Sequence, residues 1–411
     1  MPNSDQRRGP SGAAGRLGRA LGIGAGVGAG VLAAAATAVG IGGVALARRA
    51  VTPVAEPESP VTVLDITRAG DLAIARISGT DAELPGKYSL LFDGNAGHAR
   101  LGDIIEELGG PGVARPILGI DRGDLRPEIR GRITGWWYTD PAALGLRTER
   151  ITYQTELGPA DAWLVHPRRA KGKRWAVHVH GRGALPEETI RGLAPLARAG
   201  ITSLVISYRN DPGAPAGRNG RYGIGVAERR DVDAAVSEAV RRGAERVTLV
   251  GWSMGGTACL LAATAAPEHA GSDAALIDGL VLDSPAIDWA DLLRYHARTL
   301  RAPRLIADLG IGLLGRGLVK GGEPGGIAFD ELDADAFARA LRVPALIHAS
   351  RGDTFVPPTG AERLAAAAPE LVQLSLADRG EHVKIWNVDP ESWEARTEQF
   401  VRALPRPAWR G

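Results

Sequence analysis

Val247-Thr-Leu-Val-Gly-Trp-Ser253-Met-Gly-Gly256, continued by Thr257-Ala-Cys-Leu-Leu-Ala-Ala-Thr-Ala-Ala266, decides how this 411-residue chain folds. A short apolar run of β-type residues ends in Gly-x-Ser-x-Gly, and a helix-type run of small and aliphatic residues starts directly after it. Strand, sharp turn and helix in that order hold the serine out from the backbone. They also aim a helix N-terminus at negative charge developing beside it. Glycine supplies 55 of the 411 residues, so the pentapeptide alone arises by chance in about one such chain in four. Its weight therefore comes from its context.

That context resembles the nucleophile elbow of the α/β-hydrolase family, in which an acid and then a histidine follow the serine along the chain. Both follow here. Val343-Pro-Ala-Leu-Ile-His-Ala-Ser350 reads as a buried strand of a parallel sheet, and Arg351-Gly-Asp353-Thr-Phe-Val-Pro357 as its exit loop. The family's acid loop has a Gly-x-x-Asp-x-x-Val-Pro-like spacing, one residue wider than the spacing here. A helix is expected over 358–368 and a strand over Leu371–Leu376, ahead of Ala377-Asp-Arg-Gly-Glu-His382. Of eight histidines only His382 lies beyond Asp353. The resemblance thus implies Ser253 as nucleophile, His382 as its base and Asp353 as the carboxylate that fixes the imidazole tautomer. Asp283, in Gly279-Leu-Val-Leu-Asp-Ser-Pro285, competes for the acid's role, because some relatives carry theirs after the strand that follows the elbow. The Ser-Pro that follows it suits a turn brace better, so Asp353 is preferred.

Trp175-Ala-Val-His-Val-His180-Gly-Arg-Gly183 is a strand running into a His-Gly-x-Gly turn, similar to the family's loop after its third strand. The resemblance implies an oxyanion hole built from the backbone N–H groups of Arg182 and Met254, worth about 3 kcal/mol per donor. His180 then braces the turn and is not a base. His178-x-His180 has no third ligand of suitable spacing nearby, so neither a metal nor another cofactor is expected.

Around these motifs the chain alternates: helix Glu187–Ala199, strand Ile201–Ser207, a Gly/Pro-rich loop over 210–225, and an amphipathic helix Val226–Arg242. Parallel βαβ units of a doubly wound α/β sheet follow from that rhythm. Tyr208-Arg-Asn-Asp-Pro and Arg221-Tyr222-Gly fall on loops at the carboxyl ends of strands and read as solvated. Residues 286–341 interrupt the alternation as a helical lid, with an arginine-rich helical stretch from Leu292 to Leu318. Residues 146–405 form the α/β domain, opened by a hairpin that turns at Gly158-Pro159. Residues 61–145 form a small β-rich region with one short helix near 101–108, packed on the core by Trp136, Trp137 and Tyr138.

From Leu21 to Ala47 there are 27 residues without a charge, eight of them glycine. About 20 apolar residues span a bilayer, so 21–47 is expected to be a transmembrane helix. A basic cytoplasmic tail (1–20) would precede it and a linker (48–60) follow it. Arg7, Arg8, Arg16 and Arg19 before the run outnumber Arg48 and Arg49 after it, which places the catalytic domain outside the cytoplasm. Gly24-Ala-Gly26-Val-Gly-Ala29 imitates a dinucleotide fingerprint, but no strand precedes it. A net charge of +2 gives no footprint for nucleic acid, and the single Cys259 excludes an internal disulfide. The whole reads as a membrane-anchored serine hydrolase that cleaves an ester, thioester or amide of a small acyl substrate. A serine peptidase acting on short peptides is the alternative. A non-catalytic binding protein of the same fold is the reading from another class, and it gives no reason to retain Ser253, Asp353 and His382 together.

Overall fold

The computed structural model describes residues 37–53, 58–70, 72–108, 110, 112–170, 173–266 and 271–405. Eight strands make the larger sheet: β8 (Arg147–Thr155), β9 (Gly158–His166), β10 (Arg174–Val179), β11 (Thr202–Ile206), β12 (Arg246–Trp252), β13 (Ile277–Asp283), β14 (Ala345–Ser350) and β15 (Val372–Ala377). They lie in the order β15-β14-β13-β12-β10-β11-β9-β8. Of the six inner strands the five from β10 to β14 are nearly continuous apolar stretches, and Val177, Leu204, Leu249, Leu280 and Ile347 are fully buried. Helices on both faces account for that, since a parallel sheet has no solvated side. Among those helices, α2 (Leu193–Ala199) and α10 (Pro390–Ala403) pack together on one face, while α3 (Arg229–Arg241), α4 (Met254–Thr264) and α8 (Thr359–Ala367) follow β11, β12 and β14. The first half of the expected helix Glu187–Ala199 is instead a tighter 3₁₀ turn over Pro186–Gly192. β8 and β9 pair antiparallel with Thr155 opposite Gly158. The hairpin therefore turns at Glu156-Leu157, two residues before the expected Gly158-Pro159, in the two-residue loop that best matches strand twist.

Residues 61–134 close a separate antiparallel sheet. Its strands are β1 (Val61–Ala69), β2 (Leu72–Gly79), β3 (Tyr88–Phe92), β4 (Gly97–Leu101), β5 (Glu106–Glu107), β6 (Gly112–Arg122) and β7 (Arg130–Thr134). They run β2-β1-β7-β3-β4-β6-β5, and a further β2–β6 pairing joins the ends into a small barrel. Closure removes the open edges that a small sheet would otherwise expose. The helix expected near 101–108 does not form. That segment runs extended along β6, with Gly102, Ile105 and Leu108 donating N–H bonds to Pro116, Ala114 and Gly112. The ladder satisfies backbone groups that an isolated turn of helix would leave open. Trp137 and Tyr138 pack against Trp386 of α9 (Ile385–Val388), at ring separations of 6.4 and 6.3 Å. Asn387 donates to the Lys87 and Gly135 carbonyls beside them. These contacts seat the barrel on the α/β unit.

Between β13 and β14 the lid comprises α5 (Trp289–Thr299), α6 (Arg304–Gly315) and α7 (Ala334–Ala340). A helix over 37–51, α1, lies across α6. A Cβ on Gly43 would stand 2.9 Å from Leu309, and one on Gly310 would stand 3.0 Å from the Gly43 carbonyl oxygen, so small residues on both helices permit the close crossing. Leu46, Ala47, Ala50 and Val51 are buried, and Tyr222 N–H bonds the Val51 carbonyl at 2.8 Å. These contacts fall across the boundary expected between 21–47 and 48–60. Residues 46 and 47 are buried in protein, and 48–51 continue the helix. Residues 1–36 lie outside the described part, and no helix of the described residues is long and apolar enough to cross a membrane.

Arg115 sits fully buried inside the barrel and closes no ion pair among the described residues, with Asp103 nearby. Its guanidinium donates to the carbonyls of Ala82, Leu84, Gly86 and Gly102 and so ties the β2–β3 connection to the chain after β4. Arg115→Leu orphans these four buried acceptors and should lower barrel stability by about 4 kcal/mol. Urea unfolding read by hydrogen exchange of β2–β6 amides measures it, and a change below about 1 kcal/mol contradicts this account of the barrel core.

Candidate active site

β12 delivers Ser253 and α4 starts at the next residue. Ser253 adopts φ 50°, ψ −119°, a conformation that costs a non-glycine residue on the order of 1–3 kcal/mol and persists only when its neighbours over-determine it. They do. Its N–H donates to the Asp283 carbonyl at 2.9 Å, and its own carbonyl accepts from Gly256, Thr257 and Ala286. A Cβ on Gly255 would overlap the carbonyl oxygens of Val179 and His180, and one on Gly251 would stand 2.7 Å from the Gly256 Cα. The turn closes against β10 because hydrogen alone occupies those positions.

Three residues from three loops then meet. Ser253 Oγ–H donates to His382 Nε2 at 2.8 Å, and His382 Nδ1–H donates to Asp353 Oδ2 at 2.8 Å. Asp353 Oδ1 accepts the N–H groups of Phe355 (2.9 Å) and Val356 (2.7 Å), so the carboxylate is held by three donors. Asp283 does not bond His382. Its Oδ2 accepts from Trp393 Nε1 at 2.8 Å and its Oδ1 from Ser284 Oγ at 2.9 Å. Ser284 Oγ in turn accepts the Val383 N–H at 3.2 Å. Asp283 thus supports the histidine loop from below, through Ser284. Burial pushes its carboxyl up to about 6, against the opposing pull of Arg191, Ser284 and Trp393.

The His-Gly loop is braced by residues that sequence reasoning left in solvent or did not single out. His180 is fully buried, stacked on Tyr208 at 4.2 Å, with Nε2 on Asp211 Oδ2 (2.8 Å) and Nδ1 on the Gly181 carbonyl (2.9 Å). Burial alone would lower its pKa, but Asp211, Glu188 and the Gly181 carbonyl outweigh burial and raise it. Tyr208 OH donates to the Gly181 carbonyl, Tyr222 OH accepts the Gly183 N–H, and buried Glu188 accepts the Gly181 N–H at 2.7 Å. The loops at Tyr208–Asp211 and Tyr222 are therefore buried struts. Only their position after strand ends hinted at a role near the site. With the flanking amides tied down, the N–H groups of Arg182 and Met254 have no partner among the described residues. His178 bonds Ser203 Oγ at 3.1 Å, apart from His180.

A cavity of about 540 Å³ opens in front of Ser253 and His382. Met254, Trp289, Leu292, Leu293 and Leu300 make it apolar, and α1 adds Leu46 and Ala50 to its wall. Such a space, with a few polar groups converging at one end, suits an acyl chain whose carbonyl lies at Ser253. Glu188, Arg182 and His382 border this cavity and also a second one, of about 430 Å³, toward the barrel.

Residues 176–409 match the alpha/beta hydrolase family, and residues 62–134 match a domain of unknown function. No curated protein matches the chain. Similar solved structures include an esterase of Pyrococcus furiosus, 19% identical, covering 65% of this chain and 96% of that one with a TM-score of 0.48. Another is an acylaminoacyl peptidase of Pyrococcus horikoshii, 16% identical, covering 84% and 57% with a TM-score of 0.47. A third is a puromycin-hydrolyzing peptidase of Mycobacterium tuberculosis, 18% identical, covering 81% and 46% with a TM-score of 0.45.

The raised carboxyl of Asp283 predicts a pH signature. Its folded pKa of about 6 lies above the unfolded value of about 3.9, so folding favours the protonated form. The stability this group contributes is full below about pH 4 and is lost as pH rises through 6. Asp283→Asn removes that loss. Its unfolding free energy relative to the parent protein should therefore climb by up to about 3 kcal/mol between pH 4 and 6. A difference that stays flat across that interval contradicts the assignment.

Proposed function

This chain belongs to the alpha/beta hydrolase family, and we propose that it is a serine hydrolase acting on an ester, thioester or amide through an acyl-enzyme. The observation that carries this reading is the unbroken hydrogen-bonded chain from Ser253 Oγ through His382 to Asp353, at 2.8 Å for each link. Ser253 attacks the acyl carbon while His382 takes its proton. The bond to the leaving oxygen, sulfur or nitrogen breaks, and His382 passes the proton to that atom. Water, deprotonated by His382, then releases the acid from Ser253. Asp353 keeps Nδ1 protonated and stabilises the imidazolium throughout. The N–H groups of Arg182 and Met254 hold the oxyanion of both tetrahedral states. A non-catalytic binding role would leave the cost of the Ser253 backbone conformation without a purpose.

Ser253→Ala should abolish labelling by a fluorophosphonate probe and lower turnover of a short-chain acyl ester by about 10⁴-fold or more, with the fold intact. Asp353→Asn should lower kcat by about 10⁴-fold. Full turnover by folded Ser253→Ala would overturn the mechanism. A larger loss from Asp283→Asn than from Asp353→Asn would move the acid to β13. Acyl esters compared with aminoacyl amides decide between esterase and peptidase.

We propose in addition that the uncharged run from Leu21 to Ile41, whose last five residues belong to α1, tethers the protein to a bilayer. Leu21 to Ile41 still counts 21 residues before α1 enters its contacts with α6, and about 20 suffice. Four arginines before the run and two after it favour an external catalytic unit. Protease added to intact cells should digest that unit, and protection on cells whose surface proteins are cleaved contradicts the orientation.

A further inference from the structure

The second cavity, between the barrel and the α/β unit, is charged where the first is apolar. Its acids are all occupied. Asp81 closes on Lys384 Nζ at 2.6 Å, Glu381 accepts the N–H and hydroxyl of Thr354, and Glu188 accepts the Gly181 N–H. Three guanidiniums bordering the same space are not matched. Among the described residues Arg132, from β7, donates only to Asn95 Oδ1 (3.3 Å) and lies over the Trp136 ring. Among the described residues Arg182 donates only to the carbonyls of Arg49 and Thr52, at 3.3 Å each, and lies over the Tyr222 ring. Arg191, fully buried behind them, donates Nη1 to Gly135 and Asn387, and its Nε and Nη2 have no partner among the described residues. None of the three forms an ion pair within the described residues. Elsewhere in this protein the Nε–Nη2 edge grips a carboxylate, as Arg100 does with Asp121 and Arg209 with Asp231.

Burying unpaired guanidinium charge is costly unless a counter-charge arrives. The pKa directions agree: burial lowers all three, and Glu188 for Arg132, Asp283 and then Glu188 for Arg191, and the Tyr222 ring for Arg182 offset this only in part. The lining carries four cationic side chains, counting Lys384, against three acids, an excess of one positive charge, and Asp283 behind Arg191 is itself shifted toward its neutral form by burial. A carboxylate supplies one charge, whereas a phosphate dianion overshoots. Position assigns the group a side. Ser253 borders only the apolar cavity, while His382 borders both, and His382 is the residue that protonates the leaving atom.

Resting on the serine hydrolase reading above, we infer that the charged cavity receives a carboxylate carried on the leaving group. The substrate is then an apolar acyl group joined to a hydroxy acid or an amino acid. Arg132 and Arg182, both half-buried, contact the carboxylate. Arg191, sealed from bulk water, supplies positive potential behind them. The barrel thereby acquires a task, since Arg132 comes from it, Trp136 follows its last strand, and the two complete the leaving-group side of the site.

The test compares 3-carboxyphenyl butanoate with its carboxyl methyl ester, which differ in charge but share the acyl group. The full-length protein should show a kcat/KM at least about ten-fold higher for the free carboxylate, as expected of a hydrogen bond to a charged group. Arg132→Gln should bring the ratio of the two substrates toward one, and Arg132→Lys should restore part of it. Equal rates, or a preference for the methyl ester, would overturn the inference while leaving the hydrolase reading standing. If neither ester is cleaved and a fluorophosphonate probe leaves Ser253 unlabelled, the hydrolase reading fails. Calorimetric titration with 3-hydroxybenzoate still decides the cavity in that event: binding that is lost in Arg132→Gln supports it, and no binding refutes it.

Discussion

Everything in the α/β half of this protein depends on one backbone constraint, the placement of Ser253 in a conformation that L-residues avoid. A serine at φ 50° needs glycine on both sides and a sheet close enough to hold it. β10 and β12 supply the sheet, pairing in parallel from Arg174–Arg246 to Val179–Gly251. The absence of a side chain at Gly255 lets α4 begin against the Val179 and His180 carbonyls. The same contact fixes the His-Gly loop relative to Met254, so the placement of Ser253 and of the free amide donors comes from one packing decision. Strain here serves preorganisation, because no reorganisation is left for the moment of reaction.

The parts of the fold set by local pattern were legible in the sequence. Apolar runs of strand length ahead of Gly251, Ser350 and Ala377 announced the parallel sheet, and the order of Ser253, Asp353 and His382 announced which loop ends converge. What escaped was set by contacts distant along the chain. Nothing local at Glu188 marks it as the acceptor for Gly181, seven residues earlier. Nothing in β6 predicts that Arg115 satisfies carbonyls 13 to 33 residues away. The uncharged run at 21–47 carried a true signal of apolarity, yet its last turns are buried against α6 instead of leaving the protein. Hydrophobicity tells that a segment must be covered but not by what. The loops at Tyr208 and Tyr222 failed in the opposite direction, since their glycines and prolines suggested solvent while their aromatic rings pack beneath the site.

Division of the site between two cavities ties the three segments of the chain together. α1 and the lid wall the apolar side, the β-barrel walls the charged side, and Ser253 and His382 stand at the junction. An enzyme gains discrimination when groups it has buried are left unpaired by the wrong ligand, more than from additional apolar contact. Unpaired guanidiniums beside an apolar chamber are suited to that kind of selection.

The central claim is that Ser253 carries the acyl group. Mass spectrometry of the protein quenched in acid during the first turnovers of a slowly released acyl ester tests it directly. The account predicts an adduct of the acyl mass on the peptide containing Ser253, formed in a burst equal to the enzyme concentration. Turnover with no adduct, or an adduct on any other residue, would contradict it.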